Sequence, residues 1–344
     1  MVVPHVVLLA SGKTNIVYET VKAAVIKVGT KDVYRVTTKE GFEIKATPDH
    51  KLLTVKGSRD RPTGFEWKRV DQLKPGDLLV IAPVEADFGE DTMPLSVAYL
   101  LGRVVGDGSV VVDAYYRPHI YVYFGKDEVD EAMALVDMLK ADFGEFGYTI
   151  RNMRTEVALE IHGAFARTVA SMVPELIHAK QCVRRVPEVI FRSKPQIVKA
   201  FLRGLFDADG TVDRDSAIRL ASCSLGLLKD VQQLLLALGI YSVIYQRRRG
   251  RSEFRYVTKD GVEKVYHGKD TYYELIIKNE SRCKFARDVG LAAKKLAKIS
   301  VKKCKREKPF ATVASVEHIG KDVVYDFGVP EHHRYIAQGI VSHN

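Results

Sequence analysis

The sequence predicts a multidomain protein in which an all-β domain is interrupted by an α/β insert. Two observations carry this prediction: both ends of the chain are rich in short β-branched segments, and the middle alternates amphipathic helices with hairpins. At 344 residues the chain also exceeds the roughly 250 to 300 residues at which single hydrophobic cores stop growing. We therefore expect two domains, each with its own core.

The all-β domain is predicted from the two ends of the chain. Segments such as "DVYRVTTKEGFEIKATP" and "GDLLVIAPV" are β-branched, are separated by turns that contain Gly or Pro, and show no convincing helix. The final stretch, "ATVASVEHIGKDVVYDFGVPEHHRYIAQGIVSHN", has the same texture. Joints near residues 91–94 and 302–309 divide the chain into a discontinuous domain, 1–93 with 308–344, and an insert, 94–307.

The insert contains an internal repeat, αββαββ plus a closing helix, in halves of about 94–190 and 191–307. Each half opens with a helix that ends in Asp-Gly, "LLGRVVGDG" and "LRGLFDADG", and the last helix is predicted over "SRCKFARDVGLAAKKLAK". One glycine after a helix end is common and by itself means little. Small residues, however, recur four apart on one face of both opening helices, so their backbones are expected to approach closely; these residues are Gly102, Gly106, Gly204 and Ala208.

Close packing of these helices would bring Asp107 and Asp209 together at the helix ends. A carboxylate at a helix C-terminus meets the negative end of the helix dipole, and two adjacent carboxylates repel each other. A divalent cation resolves both conflicts, and Mg²⁺ prefers one or two carboxylates together with water and phosphate oxygens. The pair therefore predicts metal-assisted hydrolysis of a phosphodiester.

The charge pattern points to nucleic acid as the partner. The net charge is +10, and residues 247–308 contain 20 Lys and Arg against 8 Asp and Glu. A basic segment is often only a solvated face, but "YQRRRGRSEFRY" alternates arginines with aromatic residues, which suits phosphate contacts along a groove. High charge with few Asn and Gln is also typical of a thermophilic source.

Composition argues against several classes of protein. The chain has no run of about 18 apolar residues, and its start, "MVVPHVVLLAS", lacks the basic region of a signal peptide, so a cytoplasmic protein without a membrane partner is expected. The four cysteines are far apart and form no CxxC pair, so neither a zinc site nor a disulfide framework is expected. We interpret them as buried or incidental thiols: Cys182, Cys223, Cys283 and Cys304.

The two Asp-Gly stretches resemble the motifs of the LAGLIDADG homing endonucleases, the second closely and the first in degenerate form. The resemblance spans about residues 94–303 and includes "RRVPEVI" ahead of the second motif. It implies a monomeric pseudo-two-fold saddle of two four-stranded sheets that binds a long, near-asymmetric site in double-stranded DNA. Asp107 and Asp209 would hold Mg²⁺ or Mn²⁺ and cut both strands across the minor groove. Val105 stands where many members carry another Asp, but Asp107 is kept.

The resemblance also implies a lysine near each metal. Alignment of the repeats selects Lys278 in the second half, and its counterpart, His162, is a weaker electrophile at neutral pH. An ordinary surface lysine is the alternative interpretation, and the asymmetry leaves nicking or unequal cutting of the two strands open. Recognition of DNA is expected from the strand faces, through Arg117, Tyr121, Tyr123, Tyr245, Arg247, Arg248, Arg249, Arg251 and Arg255.

The flanks of the insert have a resemblance of their own. "GFEIKATPDHKLLTV" places Thr47 and His50 three apart, a spacing that a core histidine would also explain. Together with "VVYDFGVPEHHRYIAQGIVSHN" it resembles the intein splicing (Hint) domain, a horseshoe-like β fold that hedgehog autoprocessing domains share. The resemblance implies that Thr47 and His50 promote the upstream acyl shift, that Asp326 and His333 assist, and that His343 assists cyclisation of Asn344 onto its own carbonyl.

One required group is missing from this second resemblance. The alignment puts Leu9, or Leu8 if the register slips by one, at the position of the Cys or Ser nucleophile, and leucine cannot attack a carbonyl. No residue follows Asn344, so full splicing of host exteins is expected to be blocked. Three hypotheses stay open: an intein with an active endonuclease, a DNA-binding module or nickase of the same shape, and a hedgehog-like domain, against which the inserted nuclease and the terminal His-Asn argue.

Overall fold

The computed structural model describes residues 2–8, 16–22, 24–85, 89–248, 253–257, 263–267, 271–300, 304–328 and 333–343. The predictions for Leu9, Arg249, Arg251 and Asn344 lie outside these residues. None of the helices in the described part of the chain is long and apolar enough to cross a membrane.

The described residues form strands at both ends of the chain and mixed helices and strands between them. The strands are β1 (Val2–Leu8), β2 (Ile16–Lys22), β3 (Ala24–Thr38), β4 (Glu43–Ala46), β5 (Lys51–Gly57), β6 (Pro62–Arg69), β7 (Leu78–Val80), β8 (Gly108–Val112), β9 (Pro118–Gly125), β10 (Gly147–Asn152), β11 (Glu156–His162), β12 (Gly210–Val212), β13 (Ile218–Ser222), β14 (Val243–Arg248), β15 (Glu253–Val257), β16 (Glu263–His267), β17 (Thr271–Ile277), β18 (Phe310–Gly328), β19 (Arg334–Ala337) and β20 (Ile340–His343). The helices are α1 (Leu95–Asp107), α2 (Val129–Phe143), α3 (Gly163–Met172), α4 (Glu188–Phe191), α5 (Pro195–Ala208), α6 (Leu225–Ala237), α7 (Asn279–Asp288) and α8 (Ala293–Leu296).

The largest sheet takes its strands from both ends of the chain. Its order is β19-β20-β5-β7-β18-β3-β4, and β6 pairs with β5. The long strands β3 and β18 run antiparallel to each other, and Val36, Leu52 and Val313 are fully buried in the core that this sheet covers. The two ends of the chain therefore share one sheet, as the matching texture of their sequences predicted.

Two further sheets repeat a single strand order. The first is β8-β9-β11-β10 and the second is β12-β13-β17-β14, with four strands each. Helices and strands follow one another as α, β, β, α, β, β, α in both, so the internal repeat predicted from the sequence is confirmed. The second repeat differs in its second hairpin, where β15 and β16 form a separate extension between β14 and β17.

The closing helix of the second repeat is shorter than predicted. The prediction ran through residue 298, but α7 ends at Asp288, and Gly290 adopts a φ of 80°. Only glycine takes this left-handed conformation without strain, so it stops the helix as a C-terminal glycine does. The chain then restarts as the short helix α8, which lies against the end of α5.

The helices α1 and α5 pack with their backbones in contact. A Cβ atom built on Gly102 would lie 2.0 Å from the carbonyl oxygen of Phe201, and one on Gly204 would lie 2.1 Å from that of Tyr99. Both distances are far below any real carbon–oxygen contact, so a side chain at either glycine would force the helices apart. The close approach predicted from the small-residue spacing is confirmed.

The insert is anchored to the turn between β3 and β4. The amide of Ile244 donates to the carbonyl oxygen of Glu40 at 2.9 Å, and a Cβ on Gly41 would lie 2.8 Å from the Cβ of Ile244. Lys229 on α6 forms an ion pair with Glu43 at 2.7 Å. The second repeat and the β part therefore meet in a tightly packed contact.

The four cysteines form two disulfides, which corrects the sequence-based interpretation as thiols. Cys182 pairs with Cys223, and Cys283 pairs with Cys304. The partners are 41 and 21 residues apart in sequence, yet the fold brings their Cα atoms to 4.8 and 6.7 Å. No short spacing motif marks such pairs, because the tertiary fold alone makes them neighbours.

Candidate functional site

The acid pair predicted from the two Asp-Gly motifs is assembled at one end of the α1–α5 pair. Asp107 is the last residue of α1, and Asp209 is the C-cap of α5. A Cβ on Gly106 would lie 3.5 Å from Oδ2 of Asp209, so the second carboxylate reaches the first helix. Burial and the charge of Asp107 raise the pKa of Asp209 to about 6, and partial burial raises the pKa of the more exposed Asp107.

Arg184 caps the end of α1. The sequence analysis predicted no arginine at this helix end. Its Nη1 donates to the carbonyl oxygen of Val105 at 3.1 Å, and its Nη2 donates to that of Gly108 at 2.7 Å. A helix C-terminus leaves such carbonyls without partners, so the guanidinium satisfies them and offsets the negative end of the dipole. Its charge opposes the rise in the pKa of both Asp107 and Asp209.

Lys295 caps the end of α5 in the same way. Its Nζ donates to the carbonyl oxygens of Phe206 and Asp207 at 3.0 and 2.7 Å. The end of helix α7 before Gly290 allows this contact, because a continuous closing helix would carry the lysine away from α5. The charge of Lys295 partly offsets the rise in the pKa of Asp209, and burial lowers the pKa of the lysine itself.

A third cation, Arg103, lies one helical turn before Asp107 and is 2% exposed. Its guanidinium lies 4.2 Å from the centre of the Phe124 ring, and its Nη2 donates to the carbonyl oxygen of Tyr123 at 3.3 Å. Its charge also offsets part of the rise in the pKa of both acids of the pair. The group at the helix ends thus combines three acids with four cations: Asp107, Asp207 and Asp209 with Arg103, Arg184, Lys295, and Arg203, which forms an ion pair with Asp207 at 3.6 Å.

The acid pair fits a divalent cation that takes its remaining ligands from water and substrate. Within the described ranges, no group of three or more His, Cys, Asp or Glu side chains could hold a metal by itself. Mg²⁺ does not need such a group, since it is commonly bound by one or two carboxylates together with phosphate oxygens. The repulsion that raises the pKa of Asp209 is the strain that a cation between the two carboxylates would relieve.

The structure places the two predicted auxiliary residues at the ends of the fourth strands. Lys278 is the N-cap of α7 and lines a small pocket that it shares with Asp215. His162 is the N-cap of α3, and its ring centre lies 6.4 Å from that of His119. The basic groups that contact the helix ends come from later in each repeat, so the structure does not bring Lys278 or His162 into that group.

The open face of the first sheet carries polar and aromatic side chains around one buried carboxylate. Along β9 alternate residues are buried in the core, while Tyr121 and Tyr123 lie on the opposite face. Glu160 accepts a hydrogen bond from the Tyr121 hydroxyl at 3.2 Å and forms ion pairs with Arg151 at 2.7 Å and with His119 at 2.9 Å. Glu160 therefore fixes the orientation of the groups on this face.

The open face of the second sheet is more strongly basic. Arg219 and Arg247 both donate to Oε2 of Glu274 at 3.0 Å, and the Arg247 guanidinium lies 5.4 Å from the centre of the Tyr245 ring. Arg219 was not anticipated from the sequence. The remaining predicted arginines are Arg248 at the end of β14, Arg255 on β15, and Arg249 and Arg251 outside the described residues.

The first hairpins of the two repeats end in the same kind of turn. In each turn an aspartate, Asp113 or Asp213, accepts hydrogen bonds from backbone amides two and four residues further on. Arg117 also donates its Nε to Asp113, at 2.9 Å. The first turn exposes Tyr115 and Tyr116 by 78% and 89%, whereas the second turn carries no aromatic residue. Arg117 thus lies at a rigid, exposed hairpin tip.

A cleft of about 970 Å³ between the β part and α6 gathers the residues that the second resemblance singled out. Its lining includes Thr47, His50, Asp326 and His343. They come from the turn after β4, from the end of β18, and from β20, which pairs with β5. His333 stands beside them, with its ring nearly parallel to that of His343 and 6.5 Å away. Residues from both ends of the chain therefore meet here.

His50 is held in its neutral form in this cleft. Burial lowers its pKa, and the charges of Asp326 and Asp49 oppose that shift. Its Nε2 is buried and has no hydrogen-bond partner among the described residues. The Thr47 hydroxyl lowers the pKa of Asp49, a residue that sequence reasoning did not include. A neutral imidazole with an unused nitrogen can accept or pass on a proton near neutral pH.

The residues that sequence reasoning missed at the acid pair are its cations. Arg184 lies in "RRVPEVI", a segment that the resemblance included without giving any residue a role. Lys295 lies beyond Gly290, and a glycine inside a predicted helix is a known signal of a helix end. That signal could have indicated a turn back toward α5, whereas nothing in the sequence indicates which carbonyls Arg184 would cap.

The curated relatives of this chain include a reductase subunit, a DNA helicase and a DNA polymerase. The chain is 28% identical over 335 residues to the ribonucleoside-diphosphate reductase NrdEB subunit alpha of Bacillus subtilis, and 24% identical over 397 residues to the replicative DNA helicase DnaB of Rhodothermus marinus. It is 27% identical over 363 residues to the DNA polymerase of Thermococcus hydrothermalis. These alignments cover 91%, 92% and 98% of this chain but 30%, 40% and 21% of the relatives, so the chain spans less than half of each.

Similarity to solved structures is distant. The homing endonuclease I-DmoI in complex with DNA and Ca is 17% identical, with a TM-score of 0.41 over 57% of this chain and 91% of that one. The full-length DUF199/WhiA protein is 16% identical, with a TM-score of 0.35 over 63% of this chain and 62% of that one.

One family description matches part of the insert. Residues 196–290 match the LAGLIDADG-like domain. The matched segment contains nearly all of α5, the acid Asp209 and the whole second sheet. The second repeat of this chain is therefore similar to the LAGLIDADG-like domain.

Proposed function

We propose that the insert, residues 94–307, is a site-specific endonuclease of the homing type that cuts both strands of double-stranded DNA. The observation that carries this proposal is the acid pair, Asp107 and Asp209, at the junction of two glycine-packed helices with Arg184 and Lys295 beside it. The LAGLIDADG-like match and the basic open faces of the sheets support it.

Each group at the helix ends has a distinct part in the proposed reaction. Asp107 and Asp209 would hold Mg²⁺ or Mn²⁺, which when bound polarises a phosphate oxygen and lowers the pKa of a coordinated water. Arg184 and Lys295 keep positive charge beside the acids, where it stabilises the charge that develops on the phosphate during cleavage. Arg103 reduces the repulsion between the acids from within the core. Below its raised pKa of about 6, Asp209 must lose a proton before it binds the metal.

The two open sheet faces supply the DNA-binding surface in this proposal. Glu274 holds Arg219 and Arg247 on the second sheet, where Tyr245 lies beside Arg247. Glu160 holds Tyr121 and Arg151 on the first sheet. Pre-oriented arginines lose less conformational freedom on binding than free ones do. Because phosphate contacts release counterions, the affinity should fall steeply as the salt concentration rises.

Selection of the target from a DNA library tests the endonuclease directly. The full chain is incubated with the library and Mg²⁺, and the cut ends are sequenced to give the site and the stagger. We expect cleavage of both strands that EDTA abolishes, and at least about a 100-fold loss in Asp209→Asn. Asp142→Asn, on the exposed end of α2, serves as the matched control and should cut normally.

Three outcomes would count against this function or a part of it. Unchanged Mg²⁺-dependent cutting by Asp209→Asn would show that the metal assignment is wrong. If the unmodified chain enriches particular sequences from the library without cutting either strand, the insert is a DNA-binding module. Cutting of one strand only would identify a nickase.

We further propose that the β part, residues 1–93 with 308–344, is an intein-type splicing domain. The specific observation in its favour is the cleft that unites Thr47, His50, Asp326 and His343 from both ends of the chain. The comparisons support it in a second way. A segment of about this length occurs in a reductase subunit, a helicase and a DNA polymerase, which is expected of an inserted element rather than of any one of those activities.

In this proposal His50 accepts the proton of the attacking nucleophile at its unused nitrogen and delivers it to the leaving nitrogen at the upstream junction. Leu9 occupies the position of that nucleophile and has no proton of this kind to give. The test is Leu9→Cys, and in parallel Leu8→Cys, in a chain extended by a downstream Cys and a reporter protein. We expect one of the two to restore ligation of the flanking segments, and His50→Ala to abolish it. Absence of any ligation or junction cleavage in both would contradict the splicing assignment.

A further inference from the structure

Asp207 is a buried acid on α5 whose hydrogen bonds lead to the segment that carries Lys295. Its side chain is 2% exposed. Its Oδ1 accepts from the backbone amide of Ala292 at 2.6 Å, and its Oδ2 accepts from the Tyr99 hydroxyl at 3.0 Å. Ala292 is the N-cap of α8, three residues before Lys295. The carboxylate therefore fastens the start of α8 to the helix whose end Lys295 caps.

Asp230 is a second buried acid, on α6, whose hydrogen bonds lead to the segment that carries Arg184. Its side chain is 10% exposed. It accepts from Nε and Nη2 of Arg185 at 2.6 Å each, and from the amide of Val186 at 3.1 Å. The Ser224 hydroxyl, at the start of α6, donates to the carbonyl oxygen of Arg184 at 2.8 Å. The backbone around Arg184 is thus held from one side by α6.

The two aspartates share a feature that a general role in stability does not explain. In both cases the carboxylate accepts from a backbone amide two or three residues away from a cation at the acid pair. Long basic side chains lose much conformational freedom when they are held in one place, so fixing the backbone beside them lowers that cost. Partners that orient the groups of a site in this way commonly affect activity by about 10- to 100-fold.

We propose that Asp207 and Asp230 are positioning residues, Asp207 for Lys295 and Asp230 for Arg184. This inference rests on the proposed endonuclease function. The two residues should have different effects on the two DNA strands, because the cations are placed differently. Lys295 donates to carbonyls at the end of α5, the helix end next to Asp209. Arg184 caps the end of α1 from a segment that α6 of the other repeat holds, so its displacement disturbs the contact between the two halves of the acid pair. Loss of Asp207 slows the cutting of one strand more than the other, and loss of Asp230 slows both.

A double-mutant cycle tests the pairing of each aspartate with its cation. The variants are Asp207→Ala, Asp230→Ala, Lys295→Met and Arg184→Met, alone and combined, in the full chain. The rate of cutting is measured for each strand separately, in single turnover, on end-labelled DNA that carries the selected site. We expect about a 100-fold loss for each cation variant. We expect about a tenfold loss for each aspartate variant.

The combinations distinguish positioning from general stabilisation. Asp207→Ala with Lys295→Met should be no slower than Lys295→Met alone, because the aspartate acts through the lysine. Asp207→Ala with Arg184→Met should multiply the two single losses. The same holds for Asp230 with the cations exchanged. Multiplied losses in the matched pairs, or equal slowing of both strands by Asp207→Ala, would overturn the proposal.

Controls distinguish a failure of this inference from misfolding of a variant and from a failure of the proposed endonuclease function. Asp142→Ala removes an acid that accepts a hydrogen bond from Ser96 on α1 but has no contact with either cation segment, and it should cut normally. If an alanine variant does not fold, the corresponding asparagine variant, which keeps one acceptor oxygen, carries the same cycle. A wild-type chain that cuts no DNA refutes the proposed function itself, whereas a cutting chain with the wrong couplings refutes only this inference.

Discussion

The two repeats of the insert share strand order and glycine contacts but hold their cations differently. In the second repeat, Lys295 caps α5 and is fastened to that same helix by Asp207. In the first repeat, Arg184 caps α1 but is fastened to α6, a helix of the other repeat, through Asp230. The position in α1 that corresponds to Asp207 is Val105, which has no carboxylate. The second cation is therefore held within its own repeat, and the first depends on the contact between repeats.

This difference gives a physical reason for unequal cutting of the two strands. Lys295 caps the helix end next to Asp209, whereas Arg184 caps the end of α1 from a segment that α6 of the other repeat holds. A disturbance of the contact between repeats should therefore weaken both cuts through Arg184. A disturbance within the second repeat should weaken mainly one. Pseudo-symmetry of the backbone does not make the two centres equivalent.

The largest expected effect comes from forcing the two repeats apart. In Gly102→Ala or Gly204→Ala the new Cβ would meet a backbone carbonyl oxygen of the partner helix at 2.0 or 2.1 Å. We expect both strands to be cut at least about 100-fold more slowly, because each acid and cation moves relative to the others. We also expect the free energy of unfolding to fall by about 2 to 3 kcal/mol. Strand-specific rates and chemical denaturation measure the two effects.

The matched control is Gly64→Ala on β6, where a Cβ would meet no atom within 4 Å. It should leave both rates and the stability within experimental error. Normal cutting by either helix variant would mean that the helix contact does not set the geometry of the acid pair.

The helix pair was predictable from the sequence because its determinants are local. Helical periodicity places Gly102 on one face with Gly106, and Gly204 on one face with Ala208. The glycine that follows Asp209 marks the helix end. Arg184 was not predictable, because the carbonyls that it caps lie some 80 residues away and its placement depends on α6. Lys278 was selected because strand ends align between the repeats, but alignment does not show which basic side chain turns back toward the helix ends.

A smaller expected effect separates the two DNA-binding faces. Arg219 and Arg247 share one carboxylate, Glu274, so either arginine remains paired when the other is removed. On the first sheet, Glu160 pairs with Arg151 and also contacts Tyr121 and His119. We expect Arg247→Ala to weaken DNA binding by about tenfold and to reduce the slope of log affinity against log salt by about one. Glu160→Gln should weaken binding less, because it disorients groups without removing a cation. Fluorescence anisotropy between low and moderate salt gives both values, and an unchanged slope in Arg247→Ala would exclude a phosphate contact.

The pH dependence of metal binding compares the two acids directly. The pKa of Asp209 is raised to about 6 by burial and by Asp107, so below that pH a bound metal must displace a proton. Affinity for Mg²⁺ should rise by up to about tenfold per pH unit up to this pKa and level off above it. The metal-free fold has the opposite preference: a pKa raised in the folded state makes it more stable as the pH falls through 6. In Asp107→Asn the repulsion is gone, so the levelling point should move to lower pH.

Calorimetric titration in two buffers of different ionisation enthalpy measures the protons released on metal binding. We expect release at pH 5.5 and little at pH 7.5. If metal binding released the same number of protons at both pH values, the metal would not be displacing a proton from Asp209.

The smallest expected effect concerns the two disulfides. Cys182–Cys223 lies two residues from Arg184 and joins its segment to the residue before Ser224, so it reinforces the contact between repeats. Cys283–Cys304 instead joins α7 to the segment that leads back into β18. Because Asp230 and Ser224 still hold the Arg184 segment, we expect Cys182→Ser with Cys223→Ser to slow both cuts only about threefold. Cys283→Ser with Cys304→Ser is the matched pair and should leave both rates unchanged while lowering the melting temperature. If the two pairs affect cutting equally, the first disulfide contributes to stability alone, and the dependence of the first centre on the contact between repeats lies entirely with the hydrogen bonds of α6.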